Sequence, residues 1–218
     1  MTLQLFSHPF SSYSQKALIA LYENETPFEY RMLDPNHPEN SAALERLWPP
    51  AKFPLLLDGD HPVMEASVII EHLQLNHPGP IRLIPDDPAT ALEVRLLDRV
   101  FDNHVMTPMQ RIVGDALRPA DRRDPVGVEE NKAALDRSYD WLDQHMAGRE
   151  WAAGAFSLAD CAAAPSLFYA DWVNPNGGRF PALAAYRARL LDRLSFARAI
   201  EEARPFRSFF PPGAPDRD

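Results

Sequence analysis

Hydrophobic and polar positions follow two different rhythms along this chain, short and extended in the first third and helical in the rest. Leu3-Gln4-Leu5-Phe6 reads as a strand, Ser14 to Asn24 as a helix, and Phe28 to Leu33 as a second strand. The polar, proline-broken stretch from Asp34 to Glu39 leads into a short helical piece near Ala42 to Leu47. Leu55 to Leu57 and Pro62 to Met64 flank Asp58-Gly59-Asp60, which has the composition of an antiparallel hairpin turn, and Glu65 then opens an apolar helical run to Leu73. From Ala89 to about Arg204 the period is helical throughout. Leu92, Leu96, Val100 and Phe101 predict the apolar stripe of a long helix over 89–117, which Pro108 should kink or end. Leu135, Tyr139 and Leu142 mark a helix over 128–146, and 158–173 is apolar on nearly every side, as in a helix buried inside a bundle. Further helices are expected over 181–191 and 196–203, with a loose Pro-rich tail from Pro211. The expected organisation is an α/β unit over residues 1–77, a Pro- and Asp-rich linker over 78–88, and an all-helical unit over 89–218.

Composition narrows the functional classes. The 218 residues can bury a sizeable core, and 45% hydrophobic with 24% charged side chains is globular. With 31 acidic and 22 basic side chains the net charge is −9, which argues against a nucleic-acid backbone or an anionic membrane as partner. Any anionic ligand must therefore find local positive potential. The one cysteine, Cys161, lies in an alanine-rich apolar run and has no internal disulfide partner, which fits a reducing, cytoplasmic compartment. Neither a signal peptide, a membrane span nor a solenoid repeat is expected.

Two segments carry candidate chemistry. In Ala51-Lys52-Phe53-Pro54, proline has no N–H for a sheet ladder and belongs at a strand start, and a cis Phe53–Pro54 bond would turn the Phe53 backbone toward a ligand. The free N–H groups near Glu65, Ala66 and Ser67 open a helix that favours a carboxylate. Together these elements suit an extended anionic peptide. After the first strand, four hydroxyls crowd the next helix start, in Ser11-Ser12-Tyr13-Ser14. A hydroxyl donating to a bound sulfur can lower a thiol pKa from about 8.5 to about 6.5 for ~2.7 kcal/mol, within reach of one charge-assisted hydrogen bond and a helix end. Ser12 with Gln15 matches a capping box, which assigns Ser12 to structure and leaves Ser11 for chemistry. Ser157-Leu158-Ala159-Asp160, with Phe156 as a hydrophobic staple, is a second cap signature and reads as folding chemistry through Ser157 and Asp160. The histidines show no metal-ligand spacing, His72 and His104 read as packing or surface residues, and no metal is expected. Phosphate loops and dinucleotide fingerprints are absent.

These motifs, in this order, resemble the cytosolic glutathione S-transferase superfamily over nearly the whole chain: Ser11 to Lys16 after the first strand, Lys52-Phe53-Pro54, Glu65-Ala66-Ser67-Val68-Ile69, and Phe156 to Asp160. The resemblance implies a thioredoxin-like N-terminal domain followed by an all-helical C-terminal domain, a homodimer, and glutathione as co-substrate. Phe53, before the cis-proline, maps to the residue that pairs with the cysteinyl backbone of glutathione, and Lys52 is similar to residues near the glycyl carboxylate. Glu65 matches the acidic member of the pair that binds the γ-glutamyl end. Ala66 stands where the family has serine, with Ser67 one place later. Ser11 matches the catalytic serine of serine-type enzymes, with Tyr13 and Ser14 in reserve, and the absence of thiols at positions 11 and 14 argues against dithiol exchange. Phe10, His104, Met109 and Tyr169, with Trp172 behind them, are the candidates for the second-substrate pocket. The implied function is activation of glutathione as a thiolate for attack on a small hydrophobic electrophile by conjugation, dehalogenation or isomerisation. The alternative is a non-enzymatic ligand-binding or interaction protein of the same fold, suggested by Ala66. Redox chemistry at Cys161 is disfavoured by its expected burial.

Overall fold

Alternation of side chains in the first strand puts its residues on two faces, two helices covering one face and a third helix the other. The computed structural model describes residues 2–176 and 178–218. Four strands, β1 (Leu3–Ser7), β2 (Phe28–Met32), β3 (Leu55–Asp58) and β4 (His61–Met64), form one sheet in the order β2-β1-β3-β4. β1 runs parallel to β2 and antiparallel to β3, with Leu5 opposite both Tyr30 and Leu56. Leu3, Leu5, Leu56 and Val63 pack against α1 (Ser12–Glu23) and α3 (Ala66–Asn76). Phe6 and Leu55, one residue out of phase, pack instead against Leu44 of α2 (Pro38–Leu47). The turn between β3 and β4 holds Gly59 at φ 60°, where glycine has no steric penalty.

The helical unit comprises α4 (Pro88–Val100), α5 (Thr107–Ala116), α6 (Pro125–Met146), α7 (Leu158–Val173), α8 (Pro181–Asp192) and α9 (Leu194–Ala203). This arrangement, a thioredoxin-like sheet domain followed by a helical domain, is the one the sequence resemblance implies. Its main core also takes in Ile19, Ala20 and Ile70, so α1 and α3 are shared between the two units. The segment between them is pinned: Ile81 N–H donates to Asn24 Oδ1, Ile84 N–H to Gln74 Oε1, and Leu83 O accepts from Leu158 N–H at the start of α7.

Three expectations change. The stripe of α4 is not the predicted one: Leu92 and Leu96 are exposed, whereas Ala91, Val94, Leu97 and Asp98 are buried. The buried stripe contains a charged residue, made tolerable by a tertiary partner that no local pattern reveals. Phe101 of that predicted stripe is fully buried, as is Val105. Between α4 and α5 the chain makes a π turn over Phe101–Met106, in which Thr107 N–H bonds Asp102 O. Pro108 brings no N–H, and the His104 carbonyl accepts from Ser138 Oγ at 2.9 Å. Finally, the tail from Pro211 folds back over α7: Asp218 pairs with Arg204 and Arg207, and Arg217 with Asp171.

Candidate functional site

The turn after β1 decides which serine caps α1. Ser11 N–H donates to His8 O at 3.0 Å, holding Ser11 in an extended conformation (φ −89°, ψ 125°), so the helix begins at Ser12. Ser11, not Ser12, is therefore the N-cap, its Oγ accepting from Ser14 N–H at 3.3 Å. Gln15 does not reach back to the cap. Fully buried, it donates to Pro9 O and to Tyr169 Oη, both at 3.0 Å, tying the start of α1 to α7.

Ser11 stands at the junction of two cavities. The first is a polar cleft of about 560 Å³ whose walls include Ser11, Tyr13, Lys52, Phe53, Pro54, Glu65 and Ala66. The Phe53–Pro54 peptide is cis, and the β3 ladder begins only at Leu55, leaving Phe53 outside it. Glu65 is the N-cap of α3 with φ 69° and ψ 119°, a left-handed backbone that costs a non-glycine residue roughly 1–3 kcal/mol and persists where its surroundings impose it. The Tyr13 hydroxyl is pushed up to about 12 by burial and then by Asp102, so it stays a neutral donor at any physiological pH. Two predicted residues do not line the cleft. Ser14 is fully buried, with no hydrogen-bond partner for its hydroxyl among the described residues. The Ser67 hydroxyl accepts from Lys16 Nζ at 2.9 Å and donates to Asp98 Oδ2 at 2.9 Å.

Sequence reasoning missed the floor of this cleft. Lys16, fully buried in α1, pairs with Asp98 at 2.5 Å and with Asp102 at 2.7 Å, joining the sheet domain to α4 and the π turn. Burial pushes the Asp102 carboxyl above the usual carboxylate range, against the opposing pull of Lys16. Arg99 completes the network through Asp98, Asp102 and Ser67, yet its guanidinium is half exposed and lines the cleft. The available signal was Lys16 itself, a lone charge entering the apolar run Ala17 to Leu21.

The second cavity, about 360 Å³, is mostly apolar and is lined by Phe10, Ser11, Ser12, Met109, Tyr169 and Phe210 among others. Phe10, Met109 and Tyr169 thus line one cavity. Tyr169 also donates to Phe10 O at 3.2 Å, so its hydroxyl is engaged. Trp172 lies behind the wall, its ring 5.0 Å from that of Phe210. His104 does not join them. It lines a separate cavity with Val100, Pro108, Ser138 and Trp141. A larger groove of about 690 Å³ between α1, β2 and α9 lies apart from Ser11, and its Tyr22 hydroxyl is occupied by Glu202.

At α7 the cap expectation holds in geometry. Asp160 Oδ2 accepts from Ser157 N–H at 2.8 Å and from Ser157 Oγ at 3.0 Å, and Oδ1 from Ala152 N–H at 2.9 Å and the Tyr186 hydroxyl at 2.6 Å. Cys161 is fully buried and its thiol is pushed well up by burial, which leaves it inert. The histidines depart from expectation: Asp58, His72 and His77 converge at the hairpin tip.

Residues 5–81 match the family described as glutathione S-transferase, N-terminal domain, and residues 125–189 its C-terminal domain. The chain belongs to the glutathione S-transferase superfamily. A "Probable maleylacetoacetate isomerase" of Vibrio cholerae is 27% identical over 213 residues, covering 94% of this chain and 98% of that protein. A "Stringent starvation protein A homolog" of Coxiella burnetii is 28% identical over 208 residues, covering 92% of each. Among solved structures, a glutathione S-transferase of Methylobacterium radiotolerans in complex with glutathione sulfonate superposes with a TM-score of 0.79 at 29% identity, covering 92% of this chain and 95% of that one. Among the described residues of this superfamily member, no helix is long and apolar enough to cross a membrane.

Proposed function

We propose that this protein is a serine-type glutathione transferase that activates glutathione as a thiolate for attack on a small hydrophobic electrophile. The observation that carries the reading is the position of Ser11, which lines both the polar cleft and the apolar cavity. Because Ser11 Oγ already accepts from Ser14 N–H, its own hydrogen is free to donate to a sulfur placed at the mouth of α1. That bond and the helix N-terminus favour the thiolate, the thiol proton leaving to solvent, with no general base required.

The cleft suits the rest of the tripeptide. Glu65 pairs with the γ-glutamyl amino group, while the N–H groups of Ala66 and Ser67 and the Arg99 guanidinium face its carboxylate. Phe53 offers backbone groups to the cysteinyl unit, and Lys52 offers charge to the glycyl carboxylate. The electrophile occupies the cavity of Phe10, Met109 and Tyr169, where sulfur attacks it by conjugation, halide displacement or isomerisation. Detoxification in the cytoplasm is the corresponding role. The protein works as a homodimer through an apolar face on α3 and α4, where Val68, Leu75, Leu92 and Leu96 are exposed and Arg95 pairs with Glu71 between the helices. Leu96→Asp should then yield a monomer by light scattering, and an unchanged mass overturns that face.

A second reading, a non-enzymatic protein of the same fold that binds ligands or partners, is favoured by one feature. Ala66 offers no hydroxyl, and Ser67, the nearest one, is engaged by Lys16 and Asp98. The relative named as a stringent starvation protein A homolog carries no reaction in its name. Calorimetry with glutathione separates the two readings. Saturable binding at or below about millimolar, near −4 kcal/mol, supports the transferase. No heat at that concentration overturns it.

A further inference from the structure

Away from the cleft, at the far end of the β3–β4 hairpin, one carboxylate receives two imidazoles. His72 Nε2 lies 2.9 Å from Asp58 Oδ2 and His77 Nε2 lies 2.7 Å from the same oxygen, and one ligand atom from each of the three residues falls within 4.8 Å of the others. We propose that Asp58, His72 and His77 form a binding site for one first-row divalent metal ion of the zinc type.

Geometry supports this in four ways. Tetrahedral zinc with ligand bonds of about 2.0–2.1 Å sets its donor atoms about 3.3 Å apart, so the two imidazole–carboxylate distances of 2.9 and 2.7 Å need to open by only about half an ångström to admit an ion. The donor set, two imidazole nitrogens and one carboxylate oxygen, suits borderline ions and not calcium or magnesium, which take oxygen shells. The side chains are half-buried, at 16% exposure for His72, 22% for Asp58 and 31% for His77, which leaves solvent access and open coordination positions. His77 is also the C-cap of α3, where the helix dipole places partial negative charge that favours a cation.

A surrounding shell is present too. The Asn76 amide nitrogen lies 3.2 Å from His72 Nδ1 and donates to His72 O at 3.0 Å, fixing the His72 ring against the end of α3. His61, opposite Asp58 in the hairpin register, stacks on His72 with ring centroids 5.9 Å apart and belongs to this shell, not to the ligands. An ion here joins the hairpin tip to the C-terminus of α3, the two elements that meet at Glu65. Its role is a structural tie.

The test uses the full chain without an affinity tag, freed of metal by a chelator and titrated with zinc chloride by calorimetry. One equivalent should bind with a dissociation constant of about micromolar or tighter at about pH 7.5. Asp58→Asn and His77→Ala should each weaken binding by at least about tenfold, and His61→Ala by less than about threefold. Cobalt titrated into the unmutated chain should give the intense visible bands of nitrogen ligation in a low-coordinate site, a readout that depends on no variant folding. Absence of a one-equivalent isotherm, a cobalt spectrum of water and oxygen ligands only, or an isotherm that Asp58→Asn and His77→Ala both keep overturns the site. These readouts do not involve glutathione and stand or fall apart from the transferase reading.

Discussion

At the start of α7 the cap is closed off: Asp160 accepts four hydrogen bonds, Leu158 N–H reaches Leu83 O, and none of these residues lines a cavity described above. At the start of α1 a serine makes one long cap bond of 3.3 Å and lines two cavities. The sequence offers the same local signature at both, Ser157 with Asp160 and Ser12 with Gln15, but the cap of α1 is one residue earlier, at Ser11, and its third position is Ser14. The difference comes from where the third-position side chain goes. Asp160, short and surrounded, folds back on its own cap. At α1 the third-position hydroxyl, that of Ser14, makes no bond to the cap, and Gln15 is drawn away to Pro9 and Tyr169, so the cap hydroxyl of α1 keeps a free hydrogen. One cap is spent on stability, and the other remains available for chemistry.

The largest effect that would test this contrast is at α7. Asp160→Ala leaves Ala152 N–H, Ser157 N–H and the Tyr186 hydroxyl buried without their acceptor, and should destabilise the chain by at least about 3 kcal/mol. Chemical denaturation measures it. A loss under about 1 kcal/mol would show that the closed cap carries no more than a surface one.

Next comes Ser11→Ala. Turnover with a responsive electrophile should fall by about 1.5–3 kcal/mol, roughly 10- to 100-fold in kcat, while glutathione affinity changes by less than about threefold. The pH profile should sharpen the assignment. With the Tyr13 hydroxyl at about 12 and held neutral by burial, the rate of the unmutated protein should rise with a single thiol ionisation and stay level through about pH 10. In Ser11→Ala that rise should move upward toward the free-thiol value. A second break near pH 9, or an unmoved profile, would assign the sulfur contact to Tyr13 instead.

Much of this was legible locally because local rules decide it. The succession of strands and helices along the chain, the hairpin at Gly59, the proline before β3 and the apolar α7 all follow from period and turn chemistry. The stripe of α4 was not, because Leu92 and Leu96 compete with Ala91, Val94 and Leu97 for the same core, and the winning face carries Asp98, acceptable there only because Lys16 lies 82 positions earlier in the chain and 2.5 Å away in space. Arg99 and Asp102 entered the cleft by the same route, and the Asp58 cluster needed the hairpin folded against α3. In the cleft, the positions of Phe53, Pro54 and Glu65 follow from proline and helix-start chemistry, whereas Ser11, expected as a free hydroxyl beside a Ser12 cap, is itself the cap. Ser67 was misplaced by one helical position, which rotates a side chain by about 100° and takes it from the cleft to the Lys16 network.

The smallest expected effect discriminates most finely between adjacent serines. If Ser12 were the cap, Ser12→Ala would cost about 1 kcal/mol, as cap losses do, and Ser11→Ala almost nothing in stability. The geometry reverses this: Ser11 holds the extended cap conformation and the bond to Ser14 N–H, whereas Ser12 is the first residue inside the helix. Ser12→Ala should therefore stay within about 0.5 kcal/mol of the unmutated chain, alanine being the better helix former, while Ser11→Ala loses roughly 0.5–2 kcal/mol. Paired denaturation curves of the two variants read the difference directly. Equal stabilities would mean that Ser11 is not held by its cap bond, and with it would go the argument that the Oγ lone pairs are committed to the helix and the hydrogen to the sulfur.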